Sequence, residues 1–445
     1  CMMTGIALTG HLAGTLTISR INLPLGGLGS LAFILLMIGA ISKGGSMPFH
    51  SWIPDAAQDA PLPFMALVPA SLEKLLGIYL LTRISLDMFR LNPGSWISVM
   101  LMIIGAATIL LAVMMALVQK EYKRLLSYHA ISQVGYMILG IGTCLPAGIV
   151  GGLFHMLNNA LYKSCLFLTG GSVEKQTGTT KLEELGGIGK KMPITVGCFL
   201  IAAVSISGVP PFNGFFSKEL IYDGALERGM VFYIAAALGS FFTAASFLKL
   251  GHAAFFGKLN EKHKGIKEVH FAMLFPMLTI AFLCILFGVC NFIPLRHLIQ
   301  PVLSGQRWEG LDFSGAPTNI KLVLITLVIL IAAILNHIFG VRTTRSAVKA
   351  ADHIHYAPVL SWIYDRAEKR FFDPYDIGNK AARVIAEVAF WCDRKIDWLY
   401  NVLSLKLASI SGEQIRRLHN GSYSTYLAWS LLGFGALIVF LMYGA

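Results

Sequence analysis

Lys43, Lys163 and Lys218 each stand in a stretch of mostly apolar or small residues. Lys218 is followed by Glu219, with Asp223 one turn on, and His155 precedes Lys163 by two helical turns on nearly the same face. Glu73, Lys74, Lys249 and His252 are further titratable groups inside apolar stretches. A charge at the centre of a bilayer costs at least about 2.5–3.5 kcal/mol, so such groups are normally functional or paired. The chemistry these types share is proton exchange. Burial favours a neutral amine, a neighbouring carboxylate favours the ammonium, and changing their separation switches such a site. Histidine titrates in the working range with little help. These ten residues are the candidates for an ion path. Bland readings stand beside them: Glu73–Lys74 as a structural ion pair, Lys74 as a snorkelling side chain, Lys249 and His252 as interfacial groups. His50 and Asp55 read as caps for exposed backbone and His129 as structural, while His11, His353 and His355 show no ligand spacing.

The elements that must hold these groups follow from composition. Of 445 residues, 55% are hydrophobic and 13% charged, against about a quarter charged in a soluble domain. Apolar runs long enough to cross a bilayer fall near 26–54, 61–83, 95–118, 125–143, 146–170, 193–228, 229–256, 270–292, 318–340 and 424–443. They describe an all-α integral membrane protein of about ten transmembrane helices. The runs 26–54 and 193–228 are too long for one straight crossing. Gly45 and Pro48 interrupt the first, and Gly208, Pro210 and Pro211 the second, so both read as broken helices.

The net charge of +12 does not point to nucleic acid, because Lys and Arg sit mostly between apolar runs and in one C-terminal block. Placing the basic loops 119–124, 189–191 and 257–268 in the cytoplasm satisfies the positive-inside bias. That gives a multi-pass membrane protein with these loops in the cytoplasm. Residues 342–420 are charged but repeat Ile, Val, Phe and Trp at helical spacing, which describes a lateral amphipathic helix ahead of a final anchor at 421–445.

Cys1, Cys144, Cys165, Cys198, Cys284, Cys290 and Cys392 form no C-x-x-C pair, so neither an iron–sulfur cluster nor another metal is expected in this chain. It has no Gly-rich dinucleotide fingerprint. Any driving electrons would run in a partner. Residues 1–20 do not read as a signal peptide.

Residues 42–53 and 205–216 share Ser, Gly, Pro and Phe at the same offsets, and both copies lie in the overlong runs. With the orientation above, the first runs inward and the second outward. An inverted repeat with paired broken helices marks a transporter whose path lies at mid-membrane. Two full spans precede the second copy, but only about one short segment precedes the first. The matching helices are therefore expected before residue 1, in a longer protein or a separate chain. The layout that follows is 1–118 as the C-terminal part of the first repeat, 119–256 as the second, and 257–341 as additional helices.

The stretches SKGGSMPFHSWIPDA from Ser42, KRLLSYHAISQVGYM from Lys123, FHMLNNALYKSCLF from Phe154 and GVPPFNGFFSKEL from Gly208 resemble the antiporter-like subunits shared by respiratory complex I, energy-converting [NiFe] hydrogenases and Mrp-type sodium/proton antiporters. The resemblance covers roughly residues 25–260. It implies a proton-channel subunit built on two inverted five-helix repeats, with Lys43 as the first pumping lysine, Lys163 as the bridging lysine beside His155, and Lys218 as the terminal lysine. The family pairs an essential glutamate with the first lysine. That glutamate would lie before residue 1, so no such partner is expected here. Pro69 and Asn159 stand where the largest complex I subunit has histidines, which leaves Glu73, Lys74 or water to link Lys43 with Lys163.

The phrase PASLEKLLGIYLL from Pro69 and the long tail resemble the hydrogenase branch. That branch implies other membrane subunits and a peripheral redox arm carrying iron–sulfur clusters and a [NiFe] centre. Two other assemblies stay open: a complex I type NADH:quinone oxidoreductase, and an Mrp-type antiporter without electron transfer. The transported ion, proton or sodium, stays open too.

Overall fold

The computed structural model describes residues 1–303, 315, 319–358, 360–368 and 374–443. Residue 318 of the expected span 318–340, residues 359 and 369–373 of the expected lateral helix, and residues 444–445 of the anchor lie outside these. The described residues form two compact units, Cys1–Pro374 and Tyr375–Ala445.

The first unit is a helical bundle. It contains α1 (Met2–Ala13), α2 (Leu28–Gly44) and α3 (Trp52–Asp59). Then come α4 (Leu62–Met88), α5 (Trp96–Val118), α6 (Tyr122–Gly142) and α7 (Pro146–Thr177). They are followed by α8 (Pro193–Ser207), α9 (Asn213–Arg228), α10 (Met230–Ala254), α11 (Phe271–Val289), α12 (Ile320–Thr344) and α13 (Leu360–Glu368). Among the described residues, α4, α5, α10, α11, α12 and the C-terminal helix of the second unit are long and apolar enough to cross a membrane; α2 and α8 are apolar but shorter.

The overlong runs resolve into helix pairs, α2 with α3 and α8 with α9. Their first helices end alike. Gly45 and Gly208 take left-handed backbone, φ 75° and 82°. Ser46 N bonds Ile41 O (2.9 Å) and Gly45 N bonds Ser42 O (3.2 Å); Val209 N bonds Val204 O (3.0 Å) and Gly208 N bonds Ser205 O (3.1 Å). This is the Schellman stop, which satisfies the last carbonyls and uses glycine for the positive φ. Pro48 and Pro211 follow, each after a cis peptide bond.

Helix α4 carries Pro69 without breaking, because a π turn over Val68–Leu72 absorbs the missing donor. Helices α6 and α7 are long but less apolar than the outer spans. Every residue of α6 except Arg124 is buried, so neighbouring helices rather than lipid surround its Ser, His, Gln and Tyr side chains. The packing is close enough that a Cβ on Gly105 would lie 2.6 Å from Leu139 N, and one on Gly135 2.6 Å from Gly105 O. Small residues let helix backbones meet in this way inside membranes.

Part of the 342–420 stretch belongs to this bundle. Tyr364 of α13 is buried and donates to Met114 O (3.2 Å), and Ala347, Val348 and Ala367 pack on the core.

The second unit is a near-continuous helical run followed by a separate apolar helix. The run joins α14 (Pro374–Trp398), a π turn at Leu399–Ser404 and α15 (Leu405–Leu418). The apolar helix is α16 (Tyr423–Tyr443). Val384, Ile385, Val388, Trp391 and Ile396 of α14 are all exposed.

Candidate functional site

The break between α8 and α9 holds one buried lysine. Lys218 lies in the second turn of α9 and is 1% exposed. Its Nζ donates to Ile206 O in the last turn of α8 (2.8 Å) and to Ser240 Oγ of α10 (3.0 Å), and lies 5.0 Å from the Tyr136 ring centre. The ammonium thus meets the carbonyl end of a helix, where the aligned dipoles favour positive charge, and a π-face that adds to the attraction. Ser240 Oγ also bonds the hydroxyls of Tyr222 and Tyr136.

Glu219, next in sequence, turns away from Lys218 toward α12. Thr326 Oγ1 donates to Glu219 Oε1 (2.6 Å), while Oε2 is buried with no partner among the described residues. Asp223 is partly exposed one turn further along.

His155 sits between the lysines of α9 and α7. Its Nδ1 lies 3.0 Å from Ser217 Oγ, and its Nε2 lies 3.0 Å from Gln133 Oε1 and 3.3 Å from Tyr162 OH. With the amide oxygen facing Nε2, a neutral ring donates to Gln133 and accepts from Ser217, the residue before Lys218. Lys163 is fully buried. Its Nζ donates to Leu126 O (2.7 Å) and lies 5.7 and 5.8 Å from the ring centres of Phe167 and Phe247. Phe247 also packs against His129, with ring centroids 4.6 Å apart, and His129 Nε2 bonds Ser246 Oγ (2.8 Å). Among the described residues neither Lys163 nor Lys218 has a carboxylate within ion-pair distance; neutral oxygens and rings hold both. Such sites can exchange a proton without first breaking a strong ion pair.

The first break differs. The expectation that Lys43 lacks a carboxylate here is corrected: Lys43 Nζ lies 2.7 Å from Glu73 Oε2. The Glu73–Lys74 ion pair is corrected with it, since Glu73 pairs across to α2. Adjacent residues of a helix project about 100° apart, so Lys74 turns the other way. It is buried, with Nζ 3.5 Å from Gly44 O at the end of α2. Lys43 itself is not enclosed; its side chain is 48% exposed and that of Glu73 20%. His50 Nδ1 lies 3.3 Å from Pro48 O and Trp52 Nε1 donates to Ser42 O (3.3 Å), so side chains satisfy the opened backbone.

Lys249 and His252 lie further along α10, past Ser246 and Phe247. Lys249 Nζ donates to Leu117 O (2.5 Å) and Gln119 O (2.8 Å), which caps the C-terminus of α5. His252 Nδ1 bonds His337 Nε2 on α12 (3.1 Å). Among the described residues no three His, Cys, Asp or Glu side chains gather as a metal site.

Gln133, Tyr136, Tyr162, Ser217, Ser240, Ser246, Phe247 and Thr326 complete the array and were not singled out in the sequence. Part of that signal was there. His129, Gln133 and Tyr136 fall at i, i+4 and i+7, one stripe of α6. Thr326 gave none, being 107 positions from its partner.

Residues 1–243 match the family described as NADH:quinone oxidoreductase/Mrp antiporter, TM. The chain is 32% identical over 311 residues to Na(+)/H(+) antiporter subunit A1 of Staphylococcus haemolyticus, covering 63% of this chain and 38% of that one. It is 31% identical over 287 residues to hydrogenase-4 component B of Escherichia coli, covering 59% and 43%. The chain thus spans less than half the length of either relative. Its fold is similar to that of a chain in the membrane-bound sulfane sulfur reductase, an archaeal respiratory membrane complex. There the TM-score is 0.61 at 22% identity, over 98% of this chain and 74% of the other. With more than half of its length matched, the chain belongs to the NADH:quinone oxidoreductase/Mrp antiporter transmembrane family.

Proposed function

We propose that this chain is an ion-translocating, antiporter-like subunit of a redox-driven complex in a prokaryotic cytoplasmic membrane, and that the ion is the proton. The observation that carries this reading is the pair of buried lysines, Lys163 and Lys218, held among the described residues by neutral oxygens and aromatic rings, with His155 bonded to the residue beside Lys218. A proton enters near the basic loops, passes among Lys163, His155 and Lys218, and leaves along Glu219 and Asp223. Lys43, Glu73 and Lys74 form a second station at the first break. The matched Schellman stops support an inverted repeat, 1–118 against 119–256, within a layout of about ten spans. The exposed apolar stripe of α14 supports a lateral element that lies on neighbouring subunits or the bilayer.

The assembly we favour is a ferredoxin-dependent [NiFe] hydrogenase, with its metal centres in partner subunits. The likeness to hydrogenase-4 component B supports it. The comparable likeness to an Na(+)/H(+) antiporter subunit favours a second reading, an Mrp-type antiporter without electron transfer. Vesicles containing the native complex separate them. Reductant-driven acidification with sodium omitted, from a preparation that co-purifies nickel and iron–sulfur, supports the first. Sodium-dependent exchange without either metal supports the second. Loss of all gradient formation in an intact complex contradicts both.

A further inference from the structure

The face of the bundle formed by α8, α10 and α12 carries a cavity of about 600 Å3 that the ion path does not use. Its walls are apolar, and His252 and His337 stand at one end. Leu200, Phe256 and Ile334 on its edge are 41%, 49% and 48% exposed. The cavity therefore opens sideways, along the flank of apolar helices. From Ala244 to His252 it follows about 12 Å of α10. Past the histidines the neighbouring elements are basic and exposed: Lys258 beyond α10, Arg342 in the last turn of α12, and Lys190 and Lys191 before α8. The Glu268 carboxylate at this end is occupied by Ile194 N, Thr195 N and Thr195 Oγ1.

We propose that this cavity holds an acyl chain of an anionic phospholipid, with its phosphate at the His252–His337 end. The volume suits a small ligand, in the range of about 300–1,000 Å3. Basic pockets between membrane helices on the cytoplasmic side take anionic headgroups. The histidine pair uses one nitrogen of each ring, so the ring that accepts in that bond carries its proton on the other nitrogen, His252 Nε2 or His337 Nδ1, and donates it to a phosphate oxygen. The chain would also seal the array, because Phe247 lines the cavity and contacts both Lys163 and His129. This site stands whether or not the ion path is as proposed.

The test uses the full chain in its native complex, in nanodiscs containing phosphatidylglycerol or phosphatidylcholine with a photoreactive group on the acyl chain. Phosphatidylglycerol should label wall peptides of α8, α10 and α12 at least about fivefold over phosphatidylcholine, as one or two basic residues near a headgroup would give. Leu200→Trp, at an exposed edge, should reduce labelling by a similar factor. Lys258→Glu with Arg342→Glu should make the two lipids equal. Equal labelling of the unsubstituted protein, a preference that survives charge reversal, or walls that stay unlabelled in the native complex would each overturn the proposal.

Discussion

The two helix breaks use the same backbone device and place their charges differently. Both α2 and α8 end in a Schellman turn on a left-handed glycine, with proline close behind. At the second break the lysine comes after the stop. Lys218 reaches back from α9 to the carbonyl of Ile206 and is enclosed. At the first, Lys43 comes before the stop, at the offset that Ile206 holds in the second copy, and pairs half-exposed with Glu73. Lys74 of α4 takes the place beside the α2 carbonyl. A broken helix supplies an electronegative terminus inside the bundle; which lysine takes it is set by the neighbouring helix. Lys74, not Lys43, is therefore the geometric counterpart of Lys218.

Substitutions can break this comparison. Lys218→Ala should lower ion translocation more than tenfold while the complex still assembles, as seen by gradient formation in vesicles beside native gels. Unchanged translocation removes Lys218 from the path.

The glycines sharpen it. A side chain at positive φ costs about 1–2 kcal/mol, so Gly208→Ala should lose about that much stability, its Cβ meeting only the flexible Lys218 Cδ at 3.1 Å. Gly45→Ala should lose more, because its Cβ would lie 2.1 Å from Cδ1 of the buried Ile53. Thermal unfolding of the two variants checks the order, and equal losses would contradict it.

Lys249→Met should cost about 1–3 kcal/mol by leaving two carbonyls without their donor. Its translocation per folded molecule should be unchanged; a translocation defect at full stability would place Lys249 in the path. The smallest effect is expected at Lys43–Glu73. A double-mutant cycle on this chain's stability should give a coupling of about 0.2–1 kcal/mol, as for exposed pairs, and a larger value would mean that the pair is shielded.

Much of the architecture was legible because lipid imposes a simple rule. Apolar length marks the outer spans, and Gly with Pro marks the breaks at 45–48 and 208–211. The buried helices α6 and α7 were legible for a different reason, their placement between loops, since their polar stripes dilute the apolar signal. Of the site, the sequence yielded the lysines and His155, each conspicuous against apolar neighbours. It did not yield their partners. Ser240, Ser246 and Thr326 are ordinary residues of long helices until packing sets them beside a charge. The pairing of Lys43 with Glu73 and the cap made by Lys249 are likewise set by where α4 and α10 lie against α2 and α5.

The central claim is that Lys163 and Lys218, bonded within the array of α6, α7, α9 and α10, carry the ion, while Lys249, which caps the carbonyl end of α5, stabilises the fold. Comparing Lys163→Met with Lys249→Met tests it most directly, by gradient formation in sodium-free vesicles normalised to folded complex. The expected result is loss of the gradient in the first and a normal gradient in the second. A normal gradient with Lys163→Met would contradict the account.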